Sequence, residues 1–197
     1  MNYEEKRSKY YYDDQDILIN KMDIKDIDLL NEFERRVVSL KLLIIDHTEF
    51  RPRFDKYRLK EIHSFLFSEI YDFAGEYREE NLAKDDFRFA SCEFIDSELD
   101  RILDPVCDLE DLKGLSDDEL AERVADIMAE LNVVHPFREG NGRTYREFMR
   151  QMCDKLGYSL DWSKVSYEEL FESSLKSVVD ISDLTEVIKK CLSKKEE

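Results

Sequence analysis

Breaks are scarce in this sequence, with five glycines and three prolines among 197 residues. Those two residue types are the chief interrupters of regular structure, so their scarcity favours helices over a many-turned β architecture. Cysteine is equally sparse, and Cys92, Cys107, Cys153 and Cys191 are widely spaced with no C-x-x-C pair. That pattern points to a reduced, cytoplasmic setting rather than a disulfide framework. No run approaches a membrane span, and the opening MNYEEKRSKYYYDD lacks an apolar signal core. Positive charge is in the minority: 30 Lys and Arg face 47 Asp and Glu, a formal net charge of −17. An acidic surface of this kind repels nucleic acid and anionic membranes. Its charges are interspersed rather than blocked, which reads as a solvated surface.

What is present suffices for one domain. Hydrophobic residues form 42% of the chain, with 12 Phe and 10 Tyr as bulky core material. Residues 1–16 read as a loose polar arm. Phe33, Val37, Leu40 and Ile44 recur at helical spacing within 28–45, and Leu59, Ile62, Leu66, Ile70 and Phe73 do so within 55–73. Ala74-Gly75 interrupts that pattern. Glu76–Ala90 then reads as two short extended runs around Lys84-Asp85-Asp86, a hairpin. A lone hairpin is marginal unless it packs on helices, which suits a substrate clamp. Helix resumes over 93–109, with Phe94, Leu99, Ile102 and Val106 inward.

Ser116-Asp117-Asp118-Glu119 is a capping-box pattern before the stripe Leu120, Val124, Ile127, Leu131 and Val134. That evenly striped helix reads as the buried centre, and it leads directly into His135. A partner helix over 143–157 carries Tyr145, Phe148, Met149, Met152 and Leu156 inward, with Gly157 as its stop. Ser166 opens another helix to about Val179, and a last one fits Ser182–Leu192. His47 and His63 have no ligand-like spacing and read as surface or packed side chains. The sum is one all-α domain with a small β-hairpin.

The stretch VVHPFREGNGRTYR, 133–146, concentrates what the rest lacks: a histidine, two glycines and three arginines. Gly140-Asn141-Gly142 makes a tight turn before a helix. Inward N–H groups and the helix dipole make such a place an anion site, with phosphate as its occupant. Arg143 and Arg146, three residues apart, can reach one polyphosphate. Glu139 on the rim is the kind of single carboxylate that holds Mg²⁺ together with phosphate oxygens and water. His135 has an unperturbed pKa near neutrality and suits a general base. Phe137 offers phosphate nothing and anchors the loop. Walker A, H-E-x-x-H and G-x-S-x-G patterns are absent.

HPFREGNGR..R resembles the signature H-x-F-x-[D/E]-G-N-G-R-x-x-R of the Fic family, with every fixed position filled. The segments 54–90 and 10–36 also resemble that family's helix with its hairpin flap and the front part of small stand-alone Fic toxins. The resemblance implies an all-helical Fic fold and transfer of AMP from ATP to a hydroxyl side chain of a target protein, releasing pyrophosphate. His135 would activate the hydroxyl, and Glu139 would bind Mg²⁺. Gly140, Asn141 and Gly142 would hold the α- and β-phosphates, Arg143 the β- and Arg146 the γ-phosphate. The flap, including Asn81, Leu82, Ala83, Lys84, Asp85, Asp86 and Phe87, would pair with the target backbone. Relatives that move UMP, phosphate or phosphocholine, and a binding module without catalysis, are the alternative readings. The family's inhibitory pattern [S/T]-x-x-x-E-[G/N] has no clean copy here. Ser182-x-x-x-Glu186 is followed by Val187, and Ser193-x-x-x-Glu197 ends the sequence. The resemblance therefore implies a small antitoxin that supplies the inhibitory glutamate in trans.

Overall fold

The computed structural model describes residues 8–13, 15–84 and 87–195. Seven α-helices account for most of it: α1 (Ile27–Ile44), α2 (Lys56–Phe67), α3 (Ile95–Leu103), α4 (Asp117–Val134), α5 (Asn141–Lys155), α6 (Tyr167–Lys176) and α7 (Ser182–Cys191). A two-residue ladder, β1 (Ala83–Lys84) with β2 (Phe87–Arg88), pairs Ala83 with Arg88 and Lys84 with Phe87. A second antiparallel pair joins β3 (Tyr158–Leu160) to β4 (Leu192–Lys194). The all-α expectation with a small hairpin holds.

The spine is α4, a six-residue loop and α5. The stripe read from sequence is buried at Leu120, Val124, Ile127, Leu131 and Val134 on α4 and at Tyr145, Phe148, Met149 and Met152 on α5, while Leu156 lies just past α5 and is half-buried. Ser116 closes a reciprocal capping box with Glu119, satisfying two first-turn donors. Helix α2 packs on α5, α1 on α2, α3 and α7 on α4, and α6 on α7. Two buried cations fix the α2 side. Lys56 reaches Asp96 at 2.7 Å and Asp100 at 2.8 Å. Arg58 donates to Gln151 Oε1 at 2.7 Å while stacking on Phe54 at 4.1 Å.

Several boundaries differ from the sequence reading. On α1 the buried stripe is Leu30, Glu34 and Val38, while Leu40 and Ile44 are exposed. Phe33 and Val37 are half-buried against the core as read, beside the fully buried row that carries a carboxylate. Helix α2 ends at Phe67, and Ile70 is buried in the turns that follow. Phe94 faces solvent because it lies in a one-turn 3-10 helix, Cys92–Phe94, ahead of α3 and out of its phase. Pro105 opens another 3-10 turn, Asp104–Val106, which ends α3 early. Helix α5 starts at Asn141, so Gly142 lies inside it. Helix α6 stops at Lys176, and Leu192 leaves α7 to pair as strand.

Within the segment read as a loose arm, Tyr10 is buried edge-on against Phe73, and its hydroxyl accepts the Glu79 N–H at 3.0 Å. The hairpin strands are much shorter than 76–90, and Asp85 and Asp86 lie outside the described residues.

Candidate active site

The site is the loop between α4 and α5 with what surrounds it. His135 ends α4 with φ of 47°, the left-handed region that costs a non-glycine residue ~1–2 kcal/mol. Its N–H closes the helix onto Leu131 O at 2.9 Å. The imidazole is half-buried, and Phe89 stacks on it at 4.1 Å. Nδ1 has no partner in hydrogen-bond geometry, although the Asn132 carbonyl nearby favours the charged ring. Burial opposes that charge most strongly, followed by the positive charge of Arg78 and then Lys84 and Arg138. Together they bring the pKa from its ordinary 6.5 down to about 4. The ring is therefore neutral at physiological pH, the form a general base requires.

Three neighbours lock the loop. Phe137 is fully buried and stacks face to face on His63 at 3.9 Å, as an anchor should. The Asn141 carboxamide accepts from Phe137 N–H at 2.9 Å and donates to Phe137 O at 2.8 Å. Asn141 can thus offer a ligand its backbone N–H, but its side chain is occupied within the loop. Gly140 has φ of 80° and lies against Phe67, so that a Cβ would fall inside that ring's van der Waals surface. Gly140 caps α5 without a side chain, so the N–H groups of Asn141, Gly142 and Arg143 have no intrahelical acceptor.

Glu139 Oε1 accepts from Gly140 N–H at 2.8 Å and lies 3.3 Å from Arg143 Nη2. Its side chain is 43% exposed, and among the described residues only Oε1 is engaged. One outward carboxylate oxygen beside an anion site fits Mg²⁺ held mainly by phosphates and water. It does not suit an all-protein cage, and no metal-binding group of three or more His, Cys, Asp or Glu exists among the described residues. Arg146 is half-buried, with Nη1 packed over Gly142. Burial, then the charge of Arg143, pulls its pKa down. Two guanidinium groups close enough to disfavour one another at a helix N-terminus invite an anion.

Two further residues belong to the site and were not read as such. Glu34 from α1 reaches Arg143 at 2.6 Å and accepts the Tyr71 hydroxyl at 2.5 Å. His63 is a packed side chain, as its spacing implied, yet it also supports the loop. Its Nδ1 accepts Gly75 N–H at 2.7 Å, so Nε2 carries the proton and donates to Glu139 O at 2.9 Å. Of the hairpin residues singled out, Ala83, Lys84 and Phe87 lie in the ladder. Asn81 and Leu82 accept from Cys92 N–H and Phe89 N–H.

Comparison with known proteins agrees with this arrangement. The Fic/DOC family profile matches residues 53–153. The chain is 34% identical over 182 residues to protein adenylyltransferase VbhT of Bartonella schoenbuchensis, covering 92% of this chain but only 38% of that protein. It is 28% identical to the probable protein adenylyltransferase Fic of Salmonella typhimurium, over 98% of this chain and 96% of that one. Among solved structures, the BepC effector of Bartonella tribocorum with bound AMPPNP superposes with a TM-score of 0.89 at 25% identity, covering 95% and 97% of the two chains. A Fic domain from Bartonella quintana with bound ADP gives a TM-score of 0.87 at 25% identity, covering 95% of each chain. With the family profile spanning more than half of its length and the loop built as described, this chain belongs to the Fic/DOC family.

Proposed function

We propose that the chain is a protein adenylyltransferase. The observation that carries this reading is the meeting of a neutral imidazole with the uncapped, arginine-flanked N-terminus of α5 across one short loop. His135 would take the proton of a target hydroxyl, whose oxygen then bonds to the α-phosphorus of ATP. The bond from that phosphorus to the bridging oxygen breaks, and pyrophosphate leaves. Backbone N–H groups of Asn141, Gly142 and Arg143, with the Arg143 and Arg146 side chains, would bind the phosphates. Glu139 would hold Mg²⁺, which supplies charge neutralisation to the polyphosphate. Relatives named adenylyltransferases and neighbours with bound AMPPNP and ADP support ATP as donor.

The hairpin residues Asn81–Lys84 and Phe87 present short strands to which an extended target segment would add. Restraint by a separate antitoxin is part of the same reading. Glu186 is engaged by Lys189 on its own helix at 3.2 Å, and no carboxylate among the described residues pairs with Arg146. Glu197 lies outside the described residues, and we read the inhibitory glutamate as one that another chain supplies.

The test is incubation with Mg²⁺, a bacterial lysate and ATP labelled at either the α- or the γ-phosphate, with His135→Ala alongside. Protein labelled from the α-position alone, and only with His135 present, is the expected result. Label from the γ-position would replace the reading with a kinase. Activation of an otherwise silent protein by Glu186→Ala would replace the antitoxin with control in cis.

A further inference from the structure

Four consecutive carbonyls carry the chain out of α4, through the base and into the loop. All four accept hydrogen bonds from the two stems of the hairpin. Val133 O accepts Ala90 N–H at 3.0 Å, and Pro136 O accepts Arg78 N–H at 2.8 Å. Between them, Val134 O accepts from Arg78 Nη2 at 3.1 Å and His135 O from Arg78 Nε at 2.8 Å. The same guanidinium turns back to the hairpin, giving Nη1 to Glu80 O at 2.7 Å and Nη2 to Ala90 O.

A helix leaves its last carbonyls without intrahelical donors and carries partial negative charge at that end. Arg78 answers both needs. It is 2% exposed and is among the largest fully buried side chains. Burial pulls its pKa down, and no carboxylate pairs with it among the described residues. A buried cation is normally paired with an anion. Here four backbone carbonyls take the counter-ion's place, two at the end of α4 and one on each stem. Only a planar fork with several fixed donors can serve four acceptors spread over three segments. The connection runs to a strained residue, since His135 sits at positive φ. Phe89, one residue before Ala90, adds a second link by stacking on the imidazole.

We propose that Arg78 is a positioning residue for the transfer reaction, tying both hairpin stems to the backbone of His135 so that target-binding strand and base form one body. The proposal rests on the adenylyltransferase reading for its chemistry, but the tie itself can be measured without any turnover. A purely structural role would loosen the whole core evenly when Arg78 is changed. A positioning role loosens the hairpin and the base alone.

Arg78→Lys keeps the charge and removes the fork. Expected, in a variant that remains folded by circular dichroism, is about tenfold faster hydrogen exchange at the Phe89 and Ala90 amides, with the Thr144 amide on α5 unchanged. The His135 C2–H resonance, one of three histidine signals, should move as well. The groups that face that ring are Arg78 and Lys84 from the hairpin side, Arg138 from the loop and the Asn132 carbonyl from α4. In transfer assays kcat should fall about tenfold, with KM for ATP within about threefold of wild type. Unchanged exchange and an unmoved His135 signal, or equal loosening of α5, would overturn the proposal.

Should the lysine variant fail to fold, wild-type protein decides. The Arg78 Nε–H, Arg78 N–H and Ala90 N–H should exchange at one common rate. An Nε–H that exchanges like a surface arginine's while Ala90 stays protected would sink the idea. A wild type that transfers nothing, yet passes these exchange and resonance tests, would refute the adenylyltransferase reading and leave the tie standing.

Discussion

Glu34 Oε1 stands 2.6 Å from Arg143 Nη2, and the pair spans α1 and the first turn of α5. The Glu34 side chain is 10% exposed and that of Arg143 is 24%. The other Glu34 oxygen accepts the Tyr71 hydroxyl, so the carboxylate that holds the arginine is itself held. A guanidinium has five donors, so engaging Glu34 leaves others for a nucleotide. Glu34→Ala would leave Arg143 only its longer contact with Glu139 at 3.3 Å and would orphan the Tyr71 hydroxyl, which together cost about 1–3 kcal/mol. We expect that loss in urea unfolding, together with AMPPNP binding weakened about tenfold by calorimetry. Glu34→Gln keeps the Tyr71 hydrogen bond and should lie between. Wild-type stability and affinity in Glu34→Ala would mean the pair is ornamental.

Gly140→Ala combines two penalties at one atom. The backbone is at φ of 80°, and the new methyl would collide with Phe67. The left-handed conformation alone costs an alanine ~1–2 kcal/mol, and overpacking adds ~1–3 kcal/mol. We expect a fall of more than about 2 kcal/mol in stability, partly recovered when Phe67→Leu makes room for the methyl. No recovery in the double variant would assign the whole effect to the backbone.

The segment from His135 to Arg146, loop and first turns of α5, was legible because its chemistry is contiguous: base, carboxylate, glycines and arginines follow one another in order. The α4 and α5 stripes were legible for a related reason, since each helix buries one uninterrupted face. What escaped depends on who packs against whom. Glu34 occupies a stripe position between Leu30 and Val38 where a carboxylate is out of place, a signal visible in retrospect. That this row is buried while Leu40 and Ile44 are exposed depends on the position of α2. His63 lacked ligand spacing and was read as surface or packed; it is packed. Its role arises only because Gly75 and Glu139 come to its two nitrogens from residues far along the chain. Arg78 looked like one more charge in an acidic chain, because its partners are backbone carbonyls that no side-chain pattern reveals. The β3–β4 pair was missed because strands of three residues lie below what alternation can register.

His63→Phe preserves an aromatic plane against Phe137 and deletes both hydrogen bonds. The Gly75 N–H and the Glu139 C=O would then be left without partners in a buried place. Each such orphan costs about 1–3 kcal/mol. Thermal unfolding should show the loss, and nucleotide affinity should fall because Glu139 is no longer held by its carbonyl. Unchanged stability would mean that water replaces the imidazole at no cost.

The pH dependence should report His135 itself. Burial first, then the charge of Arg78, with Lys84 and Arg138 behind it, lowers its pKa to about 4. A base with a depressed pKa stays neutral down to that value and is lost only as pH falls through it. In free protein, the C2–H resonance should therefore titrate well below the ordinary 6.5. Bound AMPPNP places several negative charges beside the ring, and negative charge favours the imidazolium, so the nucleotide should move the midpoint upward. Transfer should run level from neutral pH into the acid range and decline toward the nucleotide-bound midpoint, with His135→Ala flat and near zero throughout. A midpoint at or above 6.5 in the free protein would show that solvent, rather than the hairpin and its arginine, surrounds the base.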